Sequence, residues 1–255
     1  EAVDLARRRL VVRHHRSVVR QHVHYDRLVI ALGSAPNTAA APGATEHALT
    51  FKSAGDAIRI RNHVIDLFEI APVSEDPWTR RRLLTFVVVG AGHAGTELAA
   101  ALEELTRGIL VRHYPSIRPD EVRLVLVGSA VLPQTAADLA AYTTARLINR
   151  GIELETGRAA RVTAEGLTLA DGRVVESRCV IWTAGNRVSP VVEALALRKT
   201  RDGRLVVNER FEVPSAPGVY ALGDNAAQSD PHTGQPYPAT AQVALRQGRA
   251  VAEVI

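Results

Sequence analysis

Residues 86–105 read FVVVGAGHAGTELAAALEEL. A continuous apolar run meets Gly90-x-Gly92-x-x-Gly95, and a helical apolar pattern opens directly behind it. The order is strand, glycine turn, helix. In such a unit Gly90 makes the tight turn, Gly92 lets the backbone approach a pyrophosphate, and Gly95 lets helix and strand pack closely. The helix N-terminus adds unpaired N–H groups and partial positive charge, which suit phosphate oxygens. The six-residue pattern alone is a weak signal; the flanking strand and helix are the context it requires. His93 lies inside the loop. Glu97, placed in the first helical turn, either stabilises the helix through its dipole or points toward a bound cofactor, and spacing alone favours the first reading.

Working outward, the next strand is VRLVLV. A dinucleotide site would normally end it in an acid that accepts from the ribose hydroxyls, roughly 20 residues beyond the loop in compact versions. Here residues 107–121 intervene and the strand ends in Gly128-Ser129, with no Arg close behind to hold a 2′-phosphate. The ribose is not specified in the usual way.

Periodicity predicts a helix over 54–70, ended by Pro72 and Pro77. It then predicts a buried strand from Leu83 to Val89, a helix from Thr96 to Thr106, and an extension or second helix up to Pro115–Pro119. Val122 to Val127 reads as a strand and Ala136 to Asn149 as a helix stopped by Gly151. Short strands follow, with Asp171-Gly172 as a tight-hairpin signal. Leu205–Val207 and Gly218–Leu222 are two more strands, and a last helix starts near Ala239. Residues 10–37 and 167–190 share one pattern: a hairpin, an apolar strand, a glycine and a polar loop. Aligning Gly33 with Gly185 suggests an internal duplication. The central glycine loop is then the second of two, the first lying upstream.

Composition sets the class. The chain has 255 residues, 46% hydrophobic and 23% charged, which suits one large globular domain or two modest ones. It has no Met and starts at Glu1, and a helical pattern still runs at Ile255, so a fragment is expected. The net charge of +4 is spread along the chain without an aromatic-rich recognition motif, which argues against nucleic acid. The basic run Arg7–Arg20 with His14 and His15, and His22 and His24 just beyond it, fits no compact metal-ligand spacing. A single Cys179 excludes an internal disulfide or a Cys-x-x-Cys pair, and its apolar surroundings indicate a buried strand thiol. No run reaches the ~18 apolar residues of a membrane span.

YDRLVIALGS, FVVVGAGHAGTELA, VIWTAG and GVYALGDNA, in this order, resemble the two-dinucleotide flavoprotein reductases. LTFKSAGDAIRIRNHVIDLFEIA, VIWTAGNRVSP and PATAQVALRQGRAVA narrow the resemblance to the type II NADH:quinone oxidoreductases, over essentially the whole chain. The resemblance implies α/β, Rossmann-like three-layer ββα domains. A partial FAD-binding domain over 1–50 lacks its first glycine loop, an NAD(P)H-binding domain spans 51–204, and the chain returns to the FAD domain over 205–255.

By the same resemblance, Gly90, Gly92, His93, Gly95, Gly128, Ala184 and Gly185 face NADH. Ala31, Gly33, Gly223, Asp224 and Ala241 face FAD. Glu97 and Gln242 are the catalytic candidates, and Gln247 is a further match. Two departures stand out: Gly128 replaces the family's Glu, and Arg246 stands where a second Gln is frequent. The implied partners are NADH and a quinone or other acceptor, with a homodimer and a peripheral position at the inner face of the cell membrane for the full-length protein. Two other readings remain: a flavin reductase for a ferredoxin-like or small-molecule acceptor, and a non-catalytic nucleotide sensor motivated by the lost acid. With this strand end, weak discrimination between NADH and NADPH is expected, the resemblance favouring NADH, and Gly128→Glu is expected to tighten NADH selectively.

Overall fold

The computed structural model describes residues 2–14 and 18–255. His15, part of the basic run, lies outside the described residues. The chain divides into two compact units, Pro36–Gly185 and the discontinuous pair Glu1–Ala35 with Asn186–Ile255.

In Pro36–Gly185 a parallel sheet carries the strands in the order Leu49–Thr50, Cys179–Trp182, Thr85–Val89, Arg123–Gly128, Ile152–Thr156. The register pairs Val87 with both Val180 and Val125. Phe86, Val88, Leu124, Leu126 and Ile181 face Val64, Phe68, Leu98, Leu102 and Leu147 on the helical side. Val87, Val89, Val125, Val127, Val180 and Trp182 face Val162, Leu167, Leu169 and Val175 of an antiparallel sheet formed by Ala159–Thr163, Gly166–Leu169 and Val174–Glu176. Both faces are covered, so the strands are apolar throughout instead of alternating. Each Val or Leu so buried is worth about 1.5–3 kcal/mol. The result is antiparallel sheet, parallel sheet and helices in three layers.

The unit begins and ends earlier than the 51–204 expected. Ala41 and Ala44 pack against Val162, whose N–H donates to the Pro42 carbonyl at 2.9 Å. At the other end, Val188, Val192 and Leu195 pack with Ile30, Leu205 and Val219 in the second unit.

Several local expectations change for local reasons. Ser53 caps the helix Ala54–Ile70 in a capping box with Asp56. Pro77 does not merely end that helix. It opens another, Pro77–Leu83, because proline suits the first helical position and Asp76 accepts from the N–H groups of Trp78 and Thr79. The following strand therefore starts at Thr85, not Leu83. The helix after the glycine loop starts at His93, not Thr96, since Gly92 is its extended N-cap residue. After Glu103 the backbone widens into a π-helix, Glu104–Leu110. Thr106 donates its hydroxyl back to the Leu102 carbonyl at 2.7 Å, and Arg107 turns to bond the carbonyls of Val122, Arg150 and Gly151. The Asp171-Gly172 hairpin forms, with Gly172 left-handed at φ 88° and Asp171 accepting from the Arg173 N–H.

The other unit contains an antiparallel sheet of Ala2–Asp4, Arg9–Arg13 and Arg20–His24. Leu28–Ile30 pairs in parallel with Val219–Ala221, and Leu205–Val206 with Ala226–Ala227. A final helix, Ala241–Val254, starts after its cap Thr240 and buries Gln247 and Val251. The suggested duplication has a structural counterpart. Each unit has a three-stranded antiparallel sheet, then a parallel strand, then a glycine with positive φ, Gly33 at 61° and Gly185 at 76°.

No helix among the described residues is long and apolar enough to cross a membrane. Cys179 is buried in its strand, and burial pushes its thiol up to about 12.

Candidate dinucleotide site

Three parallel strands end side by side in Pro36–Gly185, and their carboxyl ends deliver Gly90, Gly128 and Thr183. This is the edge where open α/β sheets bind ligands. A cleft of about 360 Å³ opens there, and its walls include Gly90–Gly92, Gly128–Ala130, Trp182 and Ala184.

The three loop glycines have different reasons to be glycine. A Cβ on Gly95 would lie 1.8 Å from the Gly90 carbonyl oxygen, and one on Gly90 would lie 2.7 Å from the Ala184 nitrogen. Gly90 also has φ 113°, a conformation that side chains rarely adopt. Protein packing alone therefore demands these two. A Cβ on Gly92 would meet nothing within 4 Å. Its missing side chain answers to no protein neighbour and leaves free approach to the helix N-terminus, as a bound diphosphate requires.

The loop is pinned from behind. The Thr183 hydroxyl reaches the carbonyls of Val89 and Gly90, both at 2.9 Å. Trp182 Nε1 donates to the Ala184 carbonyl at 2.8 Å and the Asn37 carbonyl at 3.1 Å. The Leu132 N–H donates to the Ala91 carbonyl at 2.8 Å. Sequence reading singled out Ala184 and Gly185 but not Thr183 or Trp182. Their signal was present in VIWTAG: a hydroxyl and an indole N–H at the end of a buried strand need carbonyl partners.

His93 is exposed, with Nε2 3.4 Å from the Thr135 hydroxyl. Glu97 is exposed on the same helix, but the helix has no acid in its first turn. The dipole reading of Glu97 is thereby corrected: the helix starts at His93, which moves Glu97 into the second turn.

Gly128 also reads differently in three dimensions. A Cβ there would lie 2.6 Å from the Ala91 Cβ and 3.1 Å from the Ala91 nitrogen. The loop presses so closely on the strand end that any side chain would displace it. A Glu at this position would have to move Ala91 before its carboxylate could reach a ribose.

In the other unit a second constellation forms at the ends of Leu28–Ile30 and Val219–Ala221. Asn225, fully buried, donates Nδ2 to the Ile30 carbonyl and accepts from the Gly33 N–H, each at 3.0 Å. The Ser34 hydroxyl donates to Asp224 Oδ2 at 2.7 Å. Gln247 accepts from the Gly223 N–H at 2.8 Å. A Cβ on Gly33 would meet nothing within 4 Å. Gly33, Gly223 and Asp224 are thus brought together beside open space, with a carboxylate and a hydroxyl suited to a polyhydroxyl chain. Ala31 is exposed at the end of its strand, and Ala241 and Gln242 are exposed in the first turn of the last helix. Asn225 and Ser34 were missed, although a buried polar residue after Gly-Asp is a legible hint. Arg246 and Gln247 line a separate cleft with Phe211, Gln228 and Tyr237.

A family model described as pyridine nucleotide-disulphide oxidoreductase matches residues 1–248. Type II NADH:quinone oxidoreductase Ndh of Mycobacterium tuberculosis is 34% identical over 242 residues, covering 91% of this chain and 51% of that protein. The internal alternative NAD(P)H-ubiquinone oxidoreductase A1 of Solanum tuberosum mitochondria is 32% identical over 238 residues, covering 92% and 47%. The chain spans about half the length of these relatives. Among solved structures, NDH2 from Plasmodium falciparum in complex with NADH superposes with a TM-score of 0.80 at 20% identity, covering 89% of this chain and 49% of that one.

Proposed function

The chain belongs to the pyridine nucleotide-disulphide oxidoreductase family, and from that premise we propose that it is part of an FAD-dependent enzyme that oxidises NADH and reduces a quinone. The observation that carries this reading is Gly92, a glycine that no protein neighbour requires, at a helix N-terminus in the open cleft.

On this reading residues 36–185 form the NAD(P)H-binding domain, and 1–35 with 186–255 form part of the FAD-binding domain. N–H groups at the start of the helix His93–Glu103 hold the pyrophosphate of NADH. Thr183 and Trp182 fix the loop through Ala184 and Gly185, which run beside the nicotinamide. Glu97 orients its redox end. Gly33, Ser34, Gly223 and Asp224 hold the sugar-like chain of FAD, with Asn225 and Gln247 keeping those turns in place. A bound flavin supplies the two-electron chemistry, which the side chains here do not. Ala241, Gln242 and Arg246 lie toward the acceptor. The full-length protein is peripheral at the inner face of the cell membrane.

The non-catalytic alternative loses its motive, since packing against Ala91 accounts for Gly128. Steady-state assay of the full-length, FAD-loaded protein with NADH and a soluble quinone tests the proposal. Quinone-dependent NADH oxidation is expected; oxidation that needs a protein acceptor instead would move the assignment to the ferredoxin-linked reading.

A further inference from the structure

Among the described residues, the walls of the dinucleotide cleft hold no carboxylate and one charged residue, Arg158. Its place is set by the sheet. Ile152–Thr156 pairs in parallel with Arg123–Gly128, opposing Gly128 to Thr156. The chain then turns, and the Gly157 N–H donates to the Gly128 carbonyl at 3.1 Å. The Arg158 carbonyl accepts from the Ala170 N–H at 2.9 Å, which fixes the backbone on its other side. Arg158 thus stands one residue from a direct bond to the strand end where a ribose-reading acid would be.

The charges around it are already allocated. Glu155 and Asp171 both pair with Arg173, the latter at 2.9 Å. Among the described residues no carboxylate pairs with Arg158, which is exposed. An unpaired guanidinium has five N–H donors in a planar fork that matches phosphate oxygens. It offers nothing to the donor hydrogens of a free 2′-hydroxyl that an acid would accept. At the same point Gly128 cannot accept a side chain without moving Ala91.

We propose that Arg158 pairs with the 2′-phosphate of NADPH, so that the cleft takes NADPH at least as tightly as NADH. The proposal rests on the dinucleotide reading above. Arg158 acts on the adenosine end and takes no part in hydride transfer. Because it is exposed, its contribution falls as salt rises.

The test uses ligands without a nicotinamide, which separates recognition from redox activity. ADP-ribose and 2′-phospho-ADP-ribose are titrated calorimetrically into the full-length, FAD-loaded protein and its Arg158→Ala and Arg158→Glu variants, at low and moderate salt. Arg158→Ala should weaken the phosphorylated ligand about tenfold, as for loss of a charge-assisted pair. ADP-ribose should change less than about twofold. Arg158→Glu should reverse the preference. Equal losses for both ligands, or no loss for either, would overturn the proposal and leave the dinucleotide site standing. If the wild-type protein bound neither ligand, the site and the proposal would fall together.

Discussion

Gly128 and Ala91 are in mutual contact at the point where the glycine loop crosses the end of the neighbouring strand: a Cβ on Gly128 would stand 2.6 Å from that of Ala91. The loop's position thus depends on the absence of a side chain one strand away. Gly128→Ala should shift the loop at a cost of about 1–3 kcal/mol, as for other overpacked sites. Affinity for NADH and NADPH should drop together, about tenfold. Fluorescence titration with each ligand checks this, and a change confined to one of them would show that the strand end reads the ribose itself.

Gly92 and Gly95 should separate binding from folding. Gly95→Ala meets the Gly90 carbonyl and should lower the melting temperature, at a cost of at least about 1–3 kcal/mol. Gly92→Ala meets no protein atom and should melt within a few degrees of wild type while binding NADH more weakly. Calorimetric melting alongside NADH titration distinguishes them. Unchanged NADH binding by the Gly92 variant would mean that the diphosphate lies elsewhere.

Asp56 ties acid sensitivity to one helix cap. Burial pushes its carboxyl up, but the Ser53 hydroxyl, Arg59 and the backbone N–H groups of Ser53 and Lys52 overcome this and hold it well below the usual range. Its folded value is depressed, so its contribution is complete above the unfolded value of about 3.9 and is lost as pH falls through the folded value. Asp56→Asn should cost about 1 kcal/mol at neutral pH. In urea unfolding the gap to wild type should narrow at pH 3. A gap of constant size from pH 7 to pH 3 would contradict the assignment.

Asn225 links two strand ends through bonds to Ile30 and Gly33. Asn225→Ala takes the acceptor from the half-buried Gly33 N–H and one of two donors from the Ile30 carbonyl, which keeps its bond from the Leu222 N–H, and a loss of about 1–2 kcal/mol is expected. The same change should release FAD more readily, read as free flavin after gel filtration. Full stability with normal FAD retention would remove Asn225 from the supporting structure.

The glycine loop was legible because its signal is local: spacing, an apolar strand before it and an amphipathic helix after it. The strands Thr85–Val89, Arg123–Gly128 and Cys179–Trp182 were legible because burial on both faces leaves uninterrupted apolar runs. Pro77 misled because proline both ends one helix and opens the next, and Asp76 decides between them. Gly128 was less legible. Its meaning lies in the approach of Ala91, and Arg158 reaches the same place only through strand pairing. Neither relation has a fixed spacing along the chain.

On the proposed function, this chain brings NADH to a flavin in the full-length protein. Anaerobic mixing of the full-length, FAD-loaded protein with NADH, followed by absorbance in a stopped-flow instrument, tests it most directly. Rapid loss of the oxidised-flavin absorbance, restored on adding quinone, is the predicted result. An absorbance that stays unchanged with both NADH and NADPH while FAD remains bound would contradict it.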